Sequence, residues 1–326
     1  MLTSDERSWI SVCVQHKVVL ADDIIGLELR ATEGSLLPPY QAGAHIDVEL
    51  PNGLVRQNSL CGEDREAHSY EIGILLDPNS RGGSVSAHND LEEGSILRIG
   101  RPRNMFPLAS QAQRSLLFAG GIGITPMLSM ARELARDAAH FELHYCSRTS
   151  SRAAFVERLR TSSFADRVQF HFDDGELSQR FDAATSIGSP QPDTHLYVCG
   201  PKGFMDHVIS TARSLGWEDA QIHFEYFSAT PSVPSADDGS FEVYLVGREQ
   251  SILVPPDVSV AQALIANGVD VPVSCEQGIC GTCLMRVLEG EPDHRDMYLN
   301  DAEHAANDRF LPCCSRAKSN SLLIDF

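Results

Sequence analysis

Five of the nine cysteines in this 326-residue chain lie between Cys275 and Cys314. Cys275, Cys280 and Cys283 follow a C-x4-C-x2-C pattern within SCEQGICGTC, and Cys313 follows after 29 intervening residues. This is the spacing of a plant-type [2Fe-2S] loop. Such a loop must turn tightly around a small inorganic core and aim N–H groups at its sulfurs. Gly278 and Gly281 permit that path. Structural zinc also takes four thiolates, but its ligands usually come as two similar closely spaced pairs. The first and fourth thiols here do not pair that way. Buried free thiols are the remaining alternative. Cys313 and Cys314 compete for the fourth position, because neighbours on an extended segment face opposite sides. The other four, Cys13, Cys61, Cys146 and Cys199, are scattered. The odd count suits a compartment that keeps thiols reduced, so a cytoplasmic protein is expected.

A second constellation is GGIGITP, set between an apolar strand pattern and a helix pattern. Gly120, Gly121 and Gly123 let the backbone approach a phosphate or a flat ring. Thr125 is expected to cap the helix, with Pro126 in its first turn. Exposed N–H groups there would attract a pyrophosphate. This is not the strict dinucleotide fingerprint, and a glycine turn before any helix looks similar. Cys199, Gly200 and Pro201 repeat the device at a later strand end. Two such turns at the carboxyl ends of parallel strands mark a ligand crevice. Ser147 and Arg148, at the end of HYCSR, stand where an adenosine ribose or its 2′-phosphate would lie; a solvated loop is the other reading.

A third set is RQNSL and SRGGS. Arg56 could pair with a phosphate and Ser59 could hydrogen-bond a polar ring. Gly82, Gly83 and Ser84 could offer N–H groups to a phosphate. Taken alone, each is a polar loop.

These residues need elements to hold them. Residues 1–108 alternate short apolar runs with Gly, Pro, Asn and Asp: SVCVQHKVVL, IIGLELRA, HIDVELPNG, YEIGILLD and SILRIG. No long helical period intervenes, so an antiparallel barrel or sandwich is expected. Over 109–228 strand patterns (SLLFAG, FELHYCS, RVQFHF, HLYVCG, QIHFEYF) alternate with helix patterns (MLSMARELARD, SRAAFVERLR, PKGFMDHVISTARSLG). That alternation predicts an α/β domain with a parallel sheet. Small and polar residues at 229–239 read as a linker. Residues 240–326 then give a hairpin (FEVYLVGRE, SILVPPD), a helix (VAQALIANG), the cysteine loop and a closing strand, SLLIDF.

Bulk properties narrow the function. Hydrophobic residues make up 42% of the chain and charged residues 22%, enough for globular cores. No apolar run is long enough to span a bilayer. MLTSDERSWI lacks the basic and apolar regions of a secretory leader. The net charge of −19 disfavours nucleic acid and acidic lipid as partners.

In this order, the pieces resemble the phthalate dioxygenase reductase family over essentially the whole chain. The resemblance implies a multidomain protein: an antiparallel β-barrel flavin domain, an α/β nucleotide domain and a ferredoxin-like (β-grasp) domain. It implies FMN, NADH and one [2Fe-2S] cluster as cofactors. Arg56 and Ser59 match the family's flavin motif, and Gly73, Ile74 and Leu75 match the strand lining the ring. Gly82, Gly83 and Ser84 match its phosphate turn. Gly120, Gly121 and Thr125 match its nucleotide loop, and Cys199, Gly200 and Pro201 its Cys-Gly-Pro loop. Glu225 and Phe227 match the segment closing over the flavin. CCSRAK matches a stretch whose first cysteine is a ligand, which selects Cys313. The sequence departs from the pattern at Asn58, where the family has an aromatic residue that stacks on the flavin.

The expected role is that of the reductase component for a Rieske-type oxygenase. A nicotinamide gives two electrons as one hydride and a [2Fe-2S] cluster takes one at a time, so a flavin must stand between them. Placing rings requires no side-chain nucleophile or base, and none is nominated. Plant-type clusters lie near about −400 mV and Rieske centres at roughly −150 to +300 mV, so transfer runs downhill. From Asp237 onward there are 15 acidic and 6 basic residues, a net of −9. That excess suits a transient, charge-assisted complex, and a monomer is expected. A stand-alone NAD(P)H flavin diaphorase or ferric reductase is the alternative; it has no need of a terminal one-electron outlet.

Overall fold

The computed structural model describes residues 9–62, 68–78, 80–227, 238–248 and 251–326. Residues 1–8, most of the MLTSDERSWI start in which no leader is expected, and most of the expected linker, 229–237, lie outside these residues. Among the described residues the chain divides into two compact units, 9–227 and 238–326.

The first unit opens with six antiparallel strands: β1 (Ile10–Ala21), β2 (Ile24–Ala31), β3 (His45–Glu49), β4 (Val55–Ser59), β5 (Tyr70–Leu75) and β6 (Ile96–Ile99). Their order is β4-β3-β6-β1-β2-β5. An isolated bridge between Leu60 and Ile72 joins the two edges, which closes the barrel. Inward residues such as Val12, Val14, Leu27, Leu29, Ile46 and Ile72 are buried. They alternate with outward polar ones, the period of two that the sequence shows. Two elements were not foreseen. The RQNSL segment is strand β4, although its polar residues disguise it. SRGGS opens a helix, α1 (Gly83–Asp90), rather than a bare turn.

The same unit continues with β7 (Arg114–Gly120), α2 (Ile124–Arg136), β8 (His140–Ser147), α3 (Val156–Arg160), β9 (Val168–Phe172), α4 (Ala183–Ile187), β10 (Thr194–Cys199), α5 (Lys202–Ser214) and β11 (Ile222–Glu225). The sheet is parallel, ordered β11-β10-β7-β8-β9. The chain runs from β7 outward to β9, then returns to β10 on the other side of β7. The topological switch point therefore lies between the ends of β7 and β10. The helix expected over SRAAFVERLR is shorter: Phe155 is left-handed (φ 62), and α3 forms only after it. Arg132 Nη1 donates to Cys61 O (2.5 Å) and Arg158 Nη1 to Glu71 Oε2 (2.7 Å), tying the sheet's helices to the barrel.

The second unit contains β12 (Phe241–Leu245), β13 (Ser251–Val254), α6 (Val260–Ala266), β14 (Met285–Glu289), β15 (Pro292–Asp293), α7 (Asp301–Ala306), β16 (Arg309–Phe310), β17 (Arg316–Ala317) and β18 (Ser321–Asp325). Its main sheet runs β13-β12-β18-β14-β16. The first and last strands, β12 and β18, pair in parallel at its centre, the signature of the β-grasp arrangement. Ser259 caps α6 in a capping box with Gln262, and Val260, Ala261, Ala263 and Leu264 face the core. Among the described residues, no helix is long and apolar enough to cross a membrane.

Candidate active site

The end of β7 and the end of β10 meet backbone to backbone. A Cβ added at Gly123 would collide with the Cys199 carbonyl and lie 2.8 Å from the Gly200 nitrogen. One added at Gly120 would lie 2.7 Å from the Phe204 ring and 3.0 Å from Pro201. At Gly200 it would lie 2.9 Å from Gly120 Cα. Gly120, Gly123 and Gly200 are thus required by the close approach of the two loops at the switch point, whereas Gly121 has open space around it and takes a left-handed turn (φ 53). The expected cap is corrected. Thr125 does not cap α2: Gly123 occupies the cap position, and buried Thr125 Oγ1 donates to Ile122 O at 3.0 Å. The helix starts one residue before the Thr, so its hydroxyl turns back on the preceding turn.

The barrel contributes the other side. A Cβ on Gly73, in β5, would touch Thr125 Cγ2 at 3.0 Å and Ile122 Cδ1 at 3.3 Å, so this strand lies against the β7–α2 turn. Ile74 points into the barrel core, and Leu75 packs on the core of the parallel sheet. Ser59 pairs across strands with His45. From β11, Glu225 reaches both. Ser59 Oγ donates to Glu225 Oε2 at 3.5 Å, and His45 Nδ1 lies 3.7 Å from Glu225 Oε1. Cys199 is the strand neighbour of Glu225.

Burial sets the charge state of this group. It raises the Glu225 carboxyl to about 8, opposed only by the Ser59 hydrogen bond. It lowers the His45 imidazole to about 4, helped by Arg103 and opposed by Asp47. Both are therefore neutral at pH 7. Burial also raises the Cys199 thiol, so it is no thiolate nucleophile. Buried His45 Nδ1 and Gln57 Nε2 have no hydrogen-bond partner among the described residues. Such atoms are uncommon in folded interiors and fit a site that receives a polar ring. Neither His45 nor Gln57 carries a sequence signal. His45 is one polar residue in the short strand β3, and Gln57 is one of four successive polar residues in RQNSL, with nothing to set it apart from its neighbours.

Arg56 packs onto the start of α1. A Cβ at Gly83 would lie 2.7 Å from Arg56 Nε, so only glycine leaves room for the guanidinium there. Gly82 is left-handed (φ 98), and its N–H donates to Ser80 Oγ at 3.1 Å. Gly82 therefore does not offer its N–H to a ligand. The open helix start and Arg56 still form a cradle with phosphate chemistry. Asn58 Nδ2 donates to Arg56 O at 3.3 Å, so the residue that departs from the family pattern braces this strand. Ser147 and Arg148 end β8, where their carbonyls accept from the N–H groups of Asp173 and Asp174 at 3.2 Å each. Phe227 is exposed after β11.

In the second unit all four spaced thiols converge. Cys275 is in hydrogen-bond contact with Cys280 and Cys313, and Cys283 with Cys313. Cys314 does not share these contacts: its Sγ faces Leu311 O at 3.7 Å and fills the space that a Cβ on Gly278 would occupy. Gly278 (φ 74) and Gly281 (φ 67) take the left-handed turns that the loop needs. The neighbouring segment fills the space a Cβ would occupy at both. Four inward thiols on a glycine-turned loop fit a [2Fe-2S] cluster.

The comparisons agree with this geometry. Residues 243–318 match the family model described as a 2Fe-2S iron-sulfur cluster binding domain. Residues 101–222 match the N-terminal domain of dimethylamine monooxygenase subunit DmmA-like proteins. The chain is 56% identical over 316 residues to vanillate O-demethylase oxidoreductase of a Pseudomonas species, covering 97% of this chain and 99% of that one. It is 38% identical to phthalate dioxygenase reductase of Burkholderia cepacia, over the full length of both. The chain belongs to the phthalate dioxygenase reductase family. A solved phthalate dioxygenase reductase, titled as a modular structure for electron transfer from pyridine nucleotides to [2Fe-2S], superposes with a TM-score of 0.78. It covers 99% of this chain and 100% of that one at 38% identity. The chain is thus an oxidoreductase of the same architecture. Its relatives in this family are reductase components that serve oxygenases.

Proposed function

We propose that the chain is the NADH-dependent reductase component of a two-component Rieske-type oxygenase that hydroxylates or demethylates its substrate. Residues 1–108 would form the FMN domain, 109–228 the NADH domain and 240–326 the ferredoxin domain, joined by a linker at 229–239. Bound flavin would accept one hydride, two electrons, and release them singly to a [2Fe-2S] cluster, which is the chemistry the cofactors supply.

The chain's own part is placement and exclusion. Arg56 and the start of α1 would hold the flavin phosphate, and Ser59, Gly73, Ile74 and Leu75 would border its ring. Gly120, Gly121 and Cys199–Pro201 would seat the nicotinamide end of NADH, with Thr125 holding their turn in shape. Ser147 and Arg148 would meet the adenosine ribose, and Phe227 would shield the ring. Glu225 holds its proton at neutral pH, so no bare carboxylate stands beside the reacting rings. Cys275, Cys280, Cys283 and Cys313 would ligate the cluster. The surplus of acid in the last 90 residues supports transient docking on a basic patch of the oxygenase. A monomeric, cytoplasmic protein completes the proposal.

One observation carries this reading: a dinucleotide-type crevice in one unit accompanies four convergent thiols in the other. Activity with two acceptors tests it. In Cys280→Ser, NADH-dependent reduction of cytochrome c should collapse while ferricyanide reduction persists. Undiminished reduction of both would instead favour a diaphorase whose outlet is the flavin.

A further inference from the structure

The second unit holds another group of metal-ligating side chains, apart from the four thiols. His294, Asp296 and His304 bring one ligand atom each to within 4.8 Å of one another. The Asp296 side chain is fully buried, His294 is 9% exposed and His304 28% exposed. His304 Nε2 lies 3.3 Å from both Asp296 oxygens, and His294 Nδ1 lies 3.7 Å from Oδ1. The two imidazoles stack with centroids 4.5 Å apart.

The hydrogen bonding around His294 is the decisive feature. Its Nε2 lies 3.1 Å from Asn307 Oδ1, an acceptor, so the ring proton belongs there. In the neutral ring Nδ1 then carries a bare lone pair. That atom is buried and has no hydrogen-bond partner among the described residues. It faces a carboxylate oxygen, so two acceptors confront each other with no proton between them. A cation shared by both removes the conflict. The fixed tautomer also follows a common pattern, in which the outer N–H of a ligating imidazole is held by a neighbour. Asp296 is held rigidly: the N–H groups of Tyr298 (3.2 Å) and Leu299 (2.9 Å) donate to Oδ2, and Ser315 Oγ to Oδ1 (3.5 Å).

We propose that His294, Asp296 and His304 bind one divalent transition-metal cation, with zinc the natural candidate. Two imidazoles and one carboxylate suit zinc and its neighbours rather than calcium or magnesium, which favour oxygen donors. In a tetrahedral site, bonds of about 2.1 Å put ligand atoms roughly 3.4 Å apart, so a pair separated by as much as 4.8 Å must close by up to about 1.4 Å. His304, on short and partly exposed α7, has room to do so. Three protein ligands leave a position for water. The site abuts the cysteine loop, since Met297 N–H donates to Gly278 O at 3.0 Å. A bound cation would therefore clip the 294–304 segment together beside that loop.

The test is calorimetric titration of the anaerobic, iron-loaded protein with zinc sulfate after a mild chelator wash. One zinc should bind per chain, with iron content and visible spectrum unchanged. His304→Gln should weaken binding at least about tenfold; Asn307→Gly, which suits the left-handed residue (φ 53) but frees His294, should weaken it about 10- to 100-fold. Zinc should raise the melting temperature of the wild type and not that of His304→Gln. Absence of saturable zinc binding would overturn the site. So would affinity unchanged in both variants, or zinc uptake matched by iron release, which would place the metal on the thiols.

Discussion

The crevice of the first unit and the cysteine loop of the second solve the same problem, holding a redox group, in opposite ways. The loop draws three of its four thiols from nine consecutive residues, and local turns at Gly278 and Gly281 aim them. The crevice draws His45, Ser59, Gly73, Gly123, Cys199 and Glu225 from across some 180 residues, and only the closed barrel and the parallel sheet bring them together. A loop site is encoded in spacing. A crevice site is encoded in topology, and its residues are individually ordinary. The loop should therefore fail completely when one ligand is lost, while the crevice should lose function by degrees.

The largest effect is expected at the fourth thiol. Cys313→Ser should abolish the cluster's visible absorption and most of the bound iron. Cys314→Ser should leave both at wild-type levels, because its sulfur points at Leu311 O. Equal loss in both variants would mean that the two thiols share the role.

Next comes Gly123→Ala. The added Cβ strikes the backbone of Cys199, which cannot move without opening the β7–β10 junction. Misplacement by about 1 Å can cost on the order of 100-fold in rate, so NADH:ferricyanide activity should fall by about that factor. Iron content and the cluster spectrum should not change, which separates the two regions cleanly. Wild-type activity in this variant would show that the junction does not seat the nucleotide.

Arg56→Ala should act more mildly. Losing one charged hydrogen-bond donor costs about 2 kcal/mol, or roughly thirtyfold in flavin affinity. Flavin released on dilution, read by fluorescence, checks this. Retention equal to wild type would remove Arg56 from the cradle.

A last effect, on stability rather than on redox function, is a pH dependence. The Glu225 carboxyl is raised from 4.5 to about 8 in the folded chain. Its neutral form favours folding fully below about pH 4.5, and that contribution is lost as pH rises toward 8. Relative to Glu225→Gln, wild-type stability should fall by about 1.4 kcal/mol per pH unit across this window. Parallel stability curves for the two proteins, measured by denaturant titration, would contradict the burial argument.

The same contrast explains what the sequence disclosed. The alternating strands of the barrel, the strand–helix repeat and the hairpin–helix start of the last domain were legible, because period two and period 3.6 report burial directly. The strand β4 was hidden, since Arg56, Gln57, Asn58 and Ser59 show no apolar alternation. The helix α1 was hidden by its two opening glycines, and α3 was overestimated because nothing in FVERLR announces a left-handed Phe155. The glycine loops were visible but ambiguous; their meaning came from the strand order that sets Gly123 against Cys199. His45 and Gln57 were not legible at all. A buried polar atom without a partner is a property of the folded neighbourhood, not of the residue type.

The central claim is that electrons taken from NADH in the first unit leave through the thiol-bound cluster of the second. Low-temperature electron paramagnetic resonance, after anaerobic mixing of the holoprotein with one equivalent of NADH, addresses it directly. The rhombic signal of a reduced [2Fe-2S] cluster should appear as the NADH is consumed. NADH consumption with a cluster that stays silent, yet gives its signal on chemical reduction, would contradict the account.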